Sequence, residues 1–324
     1  FVLEAVVLSQ MLKQPVQVIW TREDDIQHSY YHAISAQYLK ASLKGDSVTG
    51  WMHRTAYPSI TSTFMPGVTH GAGFEFQQGM TNMPYEISNV KYENGEAAAH
   101  IRIGWLRSVY NIIHGFSVNV FADELANAAG KDPLEFRLDM IGSNRIYPSE
   151  NEYNLDTAKL KNVLKTAAQN AGWGRELPEG HGLGLAVHYS FYSYVATVVE
   201  VSVIDGKLKV HEVFTAADCG TVVNRDTVKA QLEGAAIFGM SLTYFGDISV
   251  EKGKILQSNY HDYQMLRIHQ APKVNIEIIE SSDIPTGIGE PGVPVIAPAI
   301  INAIFNATGI RYRNLPLKDF GLVT

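Results

Sequence analysis

Apolar positions recur with helical spacing along several stretches of the chain and alternate along others, with polar glycine-rich runs between them. Phe1 to Leu12 is apolar and helical, has no capping residue before it, and ends near Pro15. Val16 to Trp20 then reads as a buried strand, closed by the polar turn Thr21-Arg22-Glu23-Asp24-Asp25. Residues 33–43 and 48–56 read as paired strands around Gly45-Asp46. Residues 58–82 are rich in Gly, Thr, Ser, Pro and aromatics and show no period; so long a loop in a compact domain is often a binding element. Phe116, Val120, Phe121, Leu125 and Ala128 place a helix over 116–129, and Asp132-Pro133 starts another that runs through Met140.

Residues 142–154 are polar, with Gly, Ser, Asn and Pro, and form the best boundary between two domains, 1–147 and 148–324. A helix at 156–171 follows, then a Gly/Pro-rich stretch from Gly172 to Gly184. Val195, Thr197, Val199, Val201 and Val203 share one face of a strand, Asp205-Gly206 is a hairpin turn, and Lys207 to Phe214 returns. A long helix covers 226–244, Val274 to Ile279 is a strand, and a helix over 295–307 stops at Gly309. Helices and strands mix without regular βαβ alternation, so the expected class is α+β rather than a doubly wound sheet.

Composition narrows the function. The 324 residues carry 26 Lys+Arg against 33 Asp+Glu, a net charge of −7, and no cationic run, which disfavours nucleic acid as a partner. No apolar stretch reaches the roughly 18 residues of a membrane span. The single Cys219 excludes a disulfide framework, a Cys-rich zinc site and a Cys-ligated iron–sulfur cluster within these residues. Without a base beside it, Cys219 reads as a buried structural thiol. His28 and His32 have i,i+4 spacing but no further ligand set, so they read as structural, and no metal ligands are assigned. There is no G-x-S-x-G elbow for a serine nucleophile.

The most distinctive local feature is Gly287-Ile288-Gly289-Glu290-Pro291-Gly292, between a strand and a helix. It matches G-x-G-x-x-G in form, yet Glu290 puts a carboxylate where a pyrophosphate would sit and Pro291 removes an amide donor. A glutamate on such a rigid loop suits a fixed general base; from the loop alone, a surface turn with one solvated acid is the simpler reading. Gln231 and Gly234 share a helix face one turn apart, where an amide and a close backbone approach suit a heterocycle; from these residues alone a helix–helix contact with Gln231 on the surface is the simpler reading. Arg107, in Gly104-Trp105-Leu106-Arg107-Ser108-Val109, suits an anionic group or an ordinary salt bridge.

These features come in an order that resembles the molybdenum-binding subunit of the xanthine oxidase family, the molybdenum hydroxylases. The nearest branch is that of the isoquinoline 1-oxidoreductase beta subunit and related bacterial aldehyde dehydrogenases. The resemblance covers nearly the whole chain. It runs through Trp20-Thr21-Arg22-Glu23-Asp24-Asp25, Met83-Pro84-Tyr85-Glu86-Ile87-Ser88-Asn89, the Arg107 segment, Phe121-Ala122-Asp123-Glu124-Leu125-Ala126 and Asp132-Pro133-Leu134-Glu135-Phe136-Arg137. It continues through Asp218-Cys219-Gly220, Val223-Asn224, Gln231-Leu232-Glu233-Gly234-Ala235, Ser258-Asn259-Tyr260-His261-Asp262-Tyr263 and Pro285 to Gly292.

The resemblance implies two mixed domains of the aldehyde oxidase/xanthine dehydrogenase molybdopterin-binding type. It implies a molybdenum–pterin cofactor, as molybdopterin or its cytosine dinucleotide, held by its own dithiolene so that no protein metal ligand is needed. Glu290 would be the general base for attack on a ring carbon beside nitrogen or on an aldehyde carbon, with water as the oxygen source. Gln231, Gly234, Gly289 and Arg107 would bind the cofactor or line its pocket. Electrons would leave through a [2Fe-2S] partner subunit. Loop 64–82 falls where the family lines its substrate funnel but lacks the arginine of the purine pocket, which argues against purines. Ser190-Phe191-Tyr192-Ser193-Tyr194-Val195-Ala196 stands where the family has a strand with glycine in place of Tyr192. Two glycine-rich cofactor motifs that precede this region in the family are absent from these residues. The expectation is therefore a C-terminal portion of a larger subunit, its first domain truncated, inactive and without stably bound cofactor by itself, its compartment unknown. The alternatives are a cofactor-free scaffold of the same fold and, further off, a nucleotide-dependent oxidoreductase.

Overall fold

In a computed structural model, the structure describes residues 1–149 and 153–323. Helix α1 (Val2–Leu12) buries none of its residues, and Phe1 makes no side-chain cap. The strand expected at 16–20 is not formed. Trp20 instead turns back on α1, donating from Nε1 to Glu4 at 2.8 Å and meeting the Phe1 ring edge-on. The expected polar turn is the start of α2 (Arg22–His28): Thr21 and Asp24 form a reciprocal capping box.

Strands β1 (Ala36–Lys44) and β2 (Ser47–Ala56) pair antiparallel around Gly45-Asp46, as the alternation predicts, and β3 (Asn89–Gly95) joins β2 in parallel. The long segment between β2 and β3 holds only a short 3-10 turn at 60–63 and the one-turn helix α3 (Gly73–Phe76). Helix α4 (Asn111–Ala129) begins upstream of the predicted start, and α5 (Pro133–Ile141) is capped by Asp132, whose side chain accepts from the amides of Leu134 and Glu135. A small ladder of β4 (Ile146–Tyr147) and β5 (Leu155–Asp156) leads into α6 (Thr157–Ala171), which ends on left-handed Gly172. Residues 150–152, inside the expected boundary segment, lie outside the described residues.

The main sheet has the order β11-β8-β7-β6, from β6 (His181–Ser190), β7 (Ser193–Ile204), β8 (Lys207–Asp218) and β11 (Lys273–Ile278). The first three are antiparallel and β11 runs parallel to β8. Helix α7 (Arg225–Phe245) precedes a two-residue ladder, β9 (Val250–Glu251) with β10 (Lys254–Ile255), and α8 (Ile296–Thr308) ends at Gly309. The sheet is buried on both faces. Val195 and Val199 pack with Ile300 and Ile304 of α8, while Ala196 and Val198 pack with Leu160 and Leu164 of α6. The class is α+β.

The Gly172–Gly184 stretch, read as irregular, runs into β6. Its glycines are there for contact: a Cβ at Gly184 would lie 2.1 Å from the Ala303 nitrogen and 2.2 Å from the Ala299 oxygen. Helix α8 rests directly on the backbone of β6, and the rest of that face can then fill with aliphatic side chains. The family-type strand over 190–196 is likewise two strand ends joined by a turn, with Phe191 and Tyr192 both left-handed at φ 51° and 65°. One buried cluster joins Trp51 of β2, α4, α5 and α6 to β6 and β7, so the core continues across the expected 147/148 boundary.

Candidate functional site

The Gly-Glu-Pro loop is fixed from three sides. The Thr286 amide donates to the Cys219 carbonyl at 2.9 Å, and that of Gly287 to the Phe191 carbonyl at 3.1 Å. Ser193 Oγ donates to the Gly287 carbonyl at 2.7 Å and lies 2.6 Å from Thr286 Oγ1. Gly220, at φ 70°, lets the 218–221 turn approach the Ile284 carbonyl, which a Cβ would meet at 2.1 Å. Gly292 sits against Leu232 and Ala235 of α7. The loop is thus a braced ledge between the end of β8, the β6–β7 turn and α7.

Five residues singled out in the sequence meet on this ledge. Arg107 Nε donates to the Gly289 carbonyl at 2.7 Å, and its Nη2 donates to both the main-chain and side-chain oxygens of Gln231 at 3.0 Å. The guanidinium lies over the Phe238 ring at 5.9 Å. Partial burial lowers the Arg107 pKa, and the charge of nearby Glu290 opposes that shift. Gly234 faces the same guanidinium.

Glu290 is held by a residue the sequence reading passed over. The buried Ser108 donates its amide to Glu290 Oε2 at 2.8 Å and its hydroxyl to the Glu290 carbonyl at 2.7 Å. Among the described residues, nothing hydrogen-bonds the other carboxylate oxygen, Oε1. Its only signal in the sequence was adjacency to Arg107. Ser193 and Thr286, which brace the loop, lie in family-like segments of the sequence but were given no role there.

The site fits a flat group with a hydrogen-bonding edge. Glycine inside a helix costs about 1 kcal/mol relative to alanine. Yet a Cβ at Gly234 would meet only Arg107 Nη1, at 3.8 Å, and one at Gly289 only Gln231 Oε1, at 3.9 Å. Packing within this chain requires glycine at neither position, so the two leave an open cradle for something approaching the backbone. Gln231 is exposed beside it, and with Oε1 taken by Arg107 its amide donors face outward. Cys219 is buried, and burial raises its thiol pKa, which keeps it unreactive. His28 and His32 do not face each other as a pair: one meets the Asp24 carbonyl, the other the Val109 carbonyl. The described residues contain no group of three His, Cys, Asp or Glu side chains arranged to hold a metal.

Comparison with known proteins places the chain among molybdopterin-binding oxidoreductase subunits by similarity. Residues 131–272 match the model of a molybdopterin cofactor-binding domain. The chain is 31% identical to a protein named membrane-bound aldehyde dehydrogenase [pyrroloquinoline-quinone] from Gluconacetobacter polyoxogenes, over 94% of this chain and 42% of that one. It is 28% identical to isoquinoline 1-oxidoreductase subunit beta of Brevundimonas diminuta, over 97% and 40%. The fold matches quinoline 2-oxidoreductase from Pseudomonas putida 86 with a TM-score of 0.76 at 12% identity, covering 99% of this chain and 66% of that one. The chain spans about two fifths of the length of these two curated relatives.

Proposed function

We propose that the chain is part of the catalytic subunit of a molybdenum hydroxylase of the xanthine oxidase family, oxidising an N-heteroaromatic ring carbon or an aldehyde with water as the oxygen source; its molybdopterin-binding domain match and its likeness to aldehyde and isoquinoline oxidoreductase subunits support that reading. The observation that carries the proposal is the convergence of Arg107, Ser108, Gln231, Gly289 and Glu290 from three distant segments onto one braced ledge. A bound molybdenum–pterin, as molybdopterin or its cytosine dinucleotide, supplies the redox and oxygen-transfer chemistry.

The protein's own part is positional and acid–base. Gln231, through its outward amide, and the open backbone at Gly234 and Gly289 hold the cofactor's edge. Arg107 ties the Glu290 loop to α7, so that cradle and carboxylate keep a fixed distance. Glu290 acts as general base, receiving a proton at Oε1 while the Ser108 amide holds Oε2. Phe64 and Trp105 form an exposed aromatic pair, 5.3 Å between centroids, and Trp105 is two residues before Arg107 in the chain. That apolar surface suits an aromatic or aldehyde substrate better than a charged one.

The one cysteine of these residues is buried and cannot ligate a cluster, so in this reading the electrons leave through iron–sulfur centres outside them, assigned here to a [2Fe-2S] partner subunit. Among the described residues, no helix is long and apolar enough to cross a membrane. The two domains divide near 147/148 but share one core. Gln231 and Gly234 are exposed, so the cofactor is gripped from one side here and this chain alone does not retain it. Stoichiometric molybdenum in the isolated chain would overturn that last point.

The base assignment is tested by Glu290→Gln in the full-length enzyme. Molybdenum and pterin content should stay intact while turnover is lost by a factor of about a thousand or more, near the upper end of what a positioned base contributes. Retained turnover would refute the role. A full-length protein without pterin would favour a scaffold, bound nicotinamide nucleotide a literal reading of the glycine loop, and bound pyrroloquinoline quinone a different redox group.

A further inference from the structure

We infer that His32 is a positioning residue for Glu290, acting through the left-handed turn that presents the Ser108 amide to the carboxylate. The inference rests on Glu290 being the base. Its starting point is strain: Ser108 and Val109 have φ of 81° and 50°, and neither is glycine. For a β-branched residue such a φ is a genuine outlier, because it drives Cβ against the following carbonyl oxygen. A turn of this kind persists only where its surroundings over-determine it.

Those surroundings can be named. Within the turn, the Val109 amide donates to the Leu106 carbonyl at 2.8 Å and that of Asn111 to the Ser108 carbonyl at 3.0 Å. The Tyr110 amide is taken by Gln78 Oε1 at 3.0 Å, and the Tyr110 hydroxyl donates to the Pro58 carbonyl at 2.7 Å. The Val109 carbonyl is gripped by His32 Nε2 at 3.0 Å, from a residue 77 positions away; its other contact, the Ile112 amide, is longer at 3.4 Å. Burial lowers the His32 pKa, so the ring is neutral near neutral pH, and facing a carbonyl it carries its proton on Nε2.

His32 is itself registered to the segment it controls. The Tyr31 amide donates to the Arg102 carbonyl and the Gly104 amide to the Tyr31 carbonyl, both at 3.0 Å, forming a parallel bridge to Ile103. A Cβ at Gly104 would meet Tyr30 Cβ at 2.8 Å, so the glycine lets the Tyr30 side chain lie directly on this strip. His32 thus measures the position of Val109 from the same strip that leads into Arg107. Without the clamp, Val109 relaxes toward negative φ. The Ser108 amide then swings off Oε2, while the link from Arg107 to Gly289 stays in place.

The test uses the full-length holoenzyme with His32→Leu, which removes the donor, and His32→Gln, whose amide nitrogen replaces Nε2. Hydrogen exchange over residues 106–110, kcat, KM and molybdenum content are measured. His32→Leu should speed exchange at the Ser108 and Val109 amides about tenfold or more. It should also lower kcat by about 10- to 100-fold, with KM and molybdenum unchanged. His32→Gln should restore both. If His32→Leu does not fold, His32→Asn, whose donor is too short to reach, should give the same pattern against His32→Gln. Unchanged exchange or unchanged kcat in the folded donorless variant, or failure of glutamine to restore them, overturns the inference. Glu290→Gln is run alongside: its retained turnover would sink the base reading, whereas its loss with an indifferent His32→Leu would sink only the clamp.

Discussion

The main sheet and the Glu290 ledge lie side by side and are held by opposite means. Between α6 and α8 the sheet is aliphatic on both faces, and its closest contact, α8 on β6, is backbone against backbone at Gly182 and Gly184. Between Gly287 and Glu290 the ledge packs only Ile288 against that core. It is fixed by individual hydrogen bonds donated by Ser108, Ser193 and Arg107, by the Thr286 amide donating to the Cys219 carbonyl, and by residues held at left-handed φ. Close packing leaves no slack, so errors in the frame are global. Hydrogen-bonded corners fail one at a time, so errors in the ledge are local.

The contrast predicts its own ordering of damage. The largest effect falls on the frame: Gly184→Val forces branched carbons into the α8 backbone, and a loss of at least about 4 kcal/mol, or no folded protein, is expected in thermal or urea unfolding. A well-folded variant would show that α8 is free to move off the sheet. A middle effect belongs to buried rings on β2, α4 and β6, where burial holds His53, His114 and His188 at about 3, 4 and 3. Each ring is neutral in the folded chain and titrates near 6.5 when unfolded. The unfolded state therefore binds more protons between roughly pH 6.5 and 4, so stability rises with pH through that window and is flat above it. Melting temperatures taken from pH 7 down to 5 should fall accordingly, and His53→Gln should remove about one proton from the slope; an unaltered slope would mean that the ring is already charged or hydrated. The smallest effect belongs to the ledge: Ser193→Ala frees the Gly287 carbonyl and should cost about 1 kcal/mol. Turnover should fall more than stability does, and a drop in stability as large as that of Gly184→Val would erase the distinction.

Legibility follows the same division. Regular helices and the two hairpins at Gly45-Asp46 and Asp205-Gly206 were readable because their signals are local: caps, αL glycines and periodicity. β6 was not, because Gly182 and Gly184 look like loop residues until α8 is laid on them. Val16 to Trp20 misled in the other direction: its alternation suits a strand, but a strand also needs a partner, and its tryptophan is claimed by Glu4 of α1. At the site, Glu290, Gln231 and Arg107 stood out by residue type and motif order. Ser108 contributes chiefly an amide, which every residue but proline has, and His32 reaches its carbonyl from 77 residues away. Nothing in composition or spacing encodes such contacts.

The bond between the Ser108 amide and Glu290 also sets a timetable. Its partners are 182 residues apart. At roughly 5–20 residues per second of synthesis, Ser108 waits about 10 to 35 seconds on the ribosome before Glu290 exists. During that wait the Arg107 turn has His32 for company but not its carboxylate, and the cradle has one wall. Loading of any cofactor through these residues therefore waits on Glu290, and a chain stopped just short of Pro291 lacks both the ledge and α8, the helix that covers one face of the main sheet.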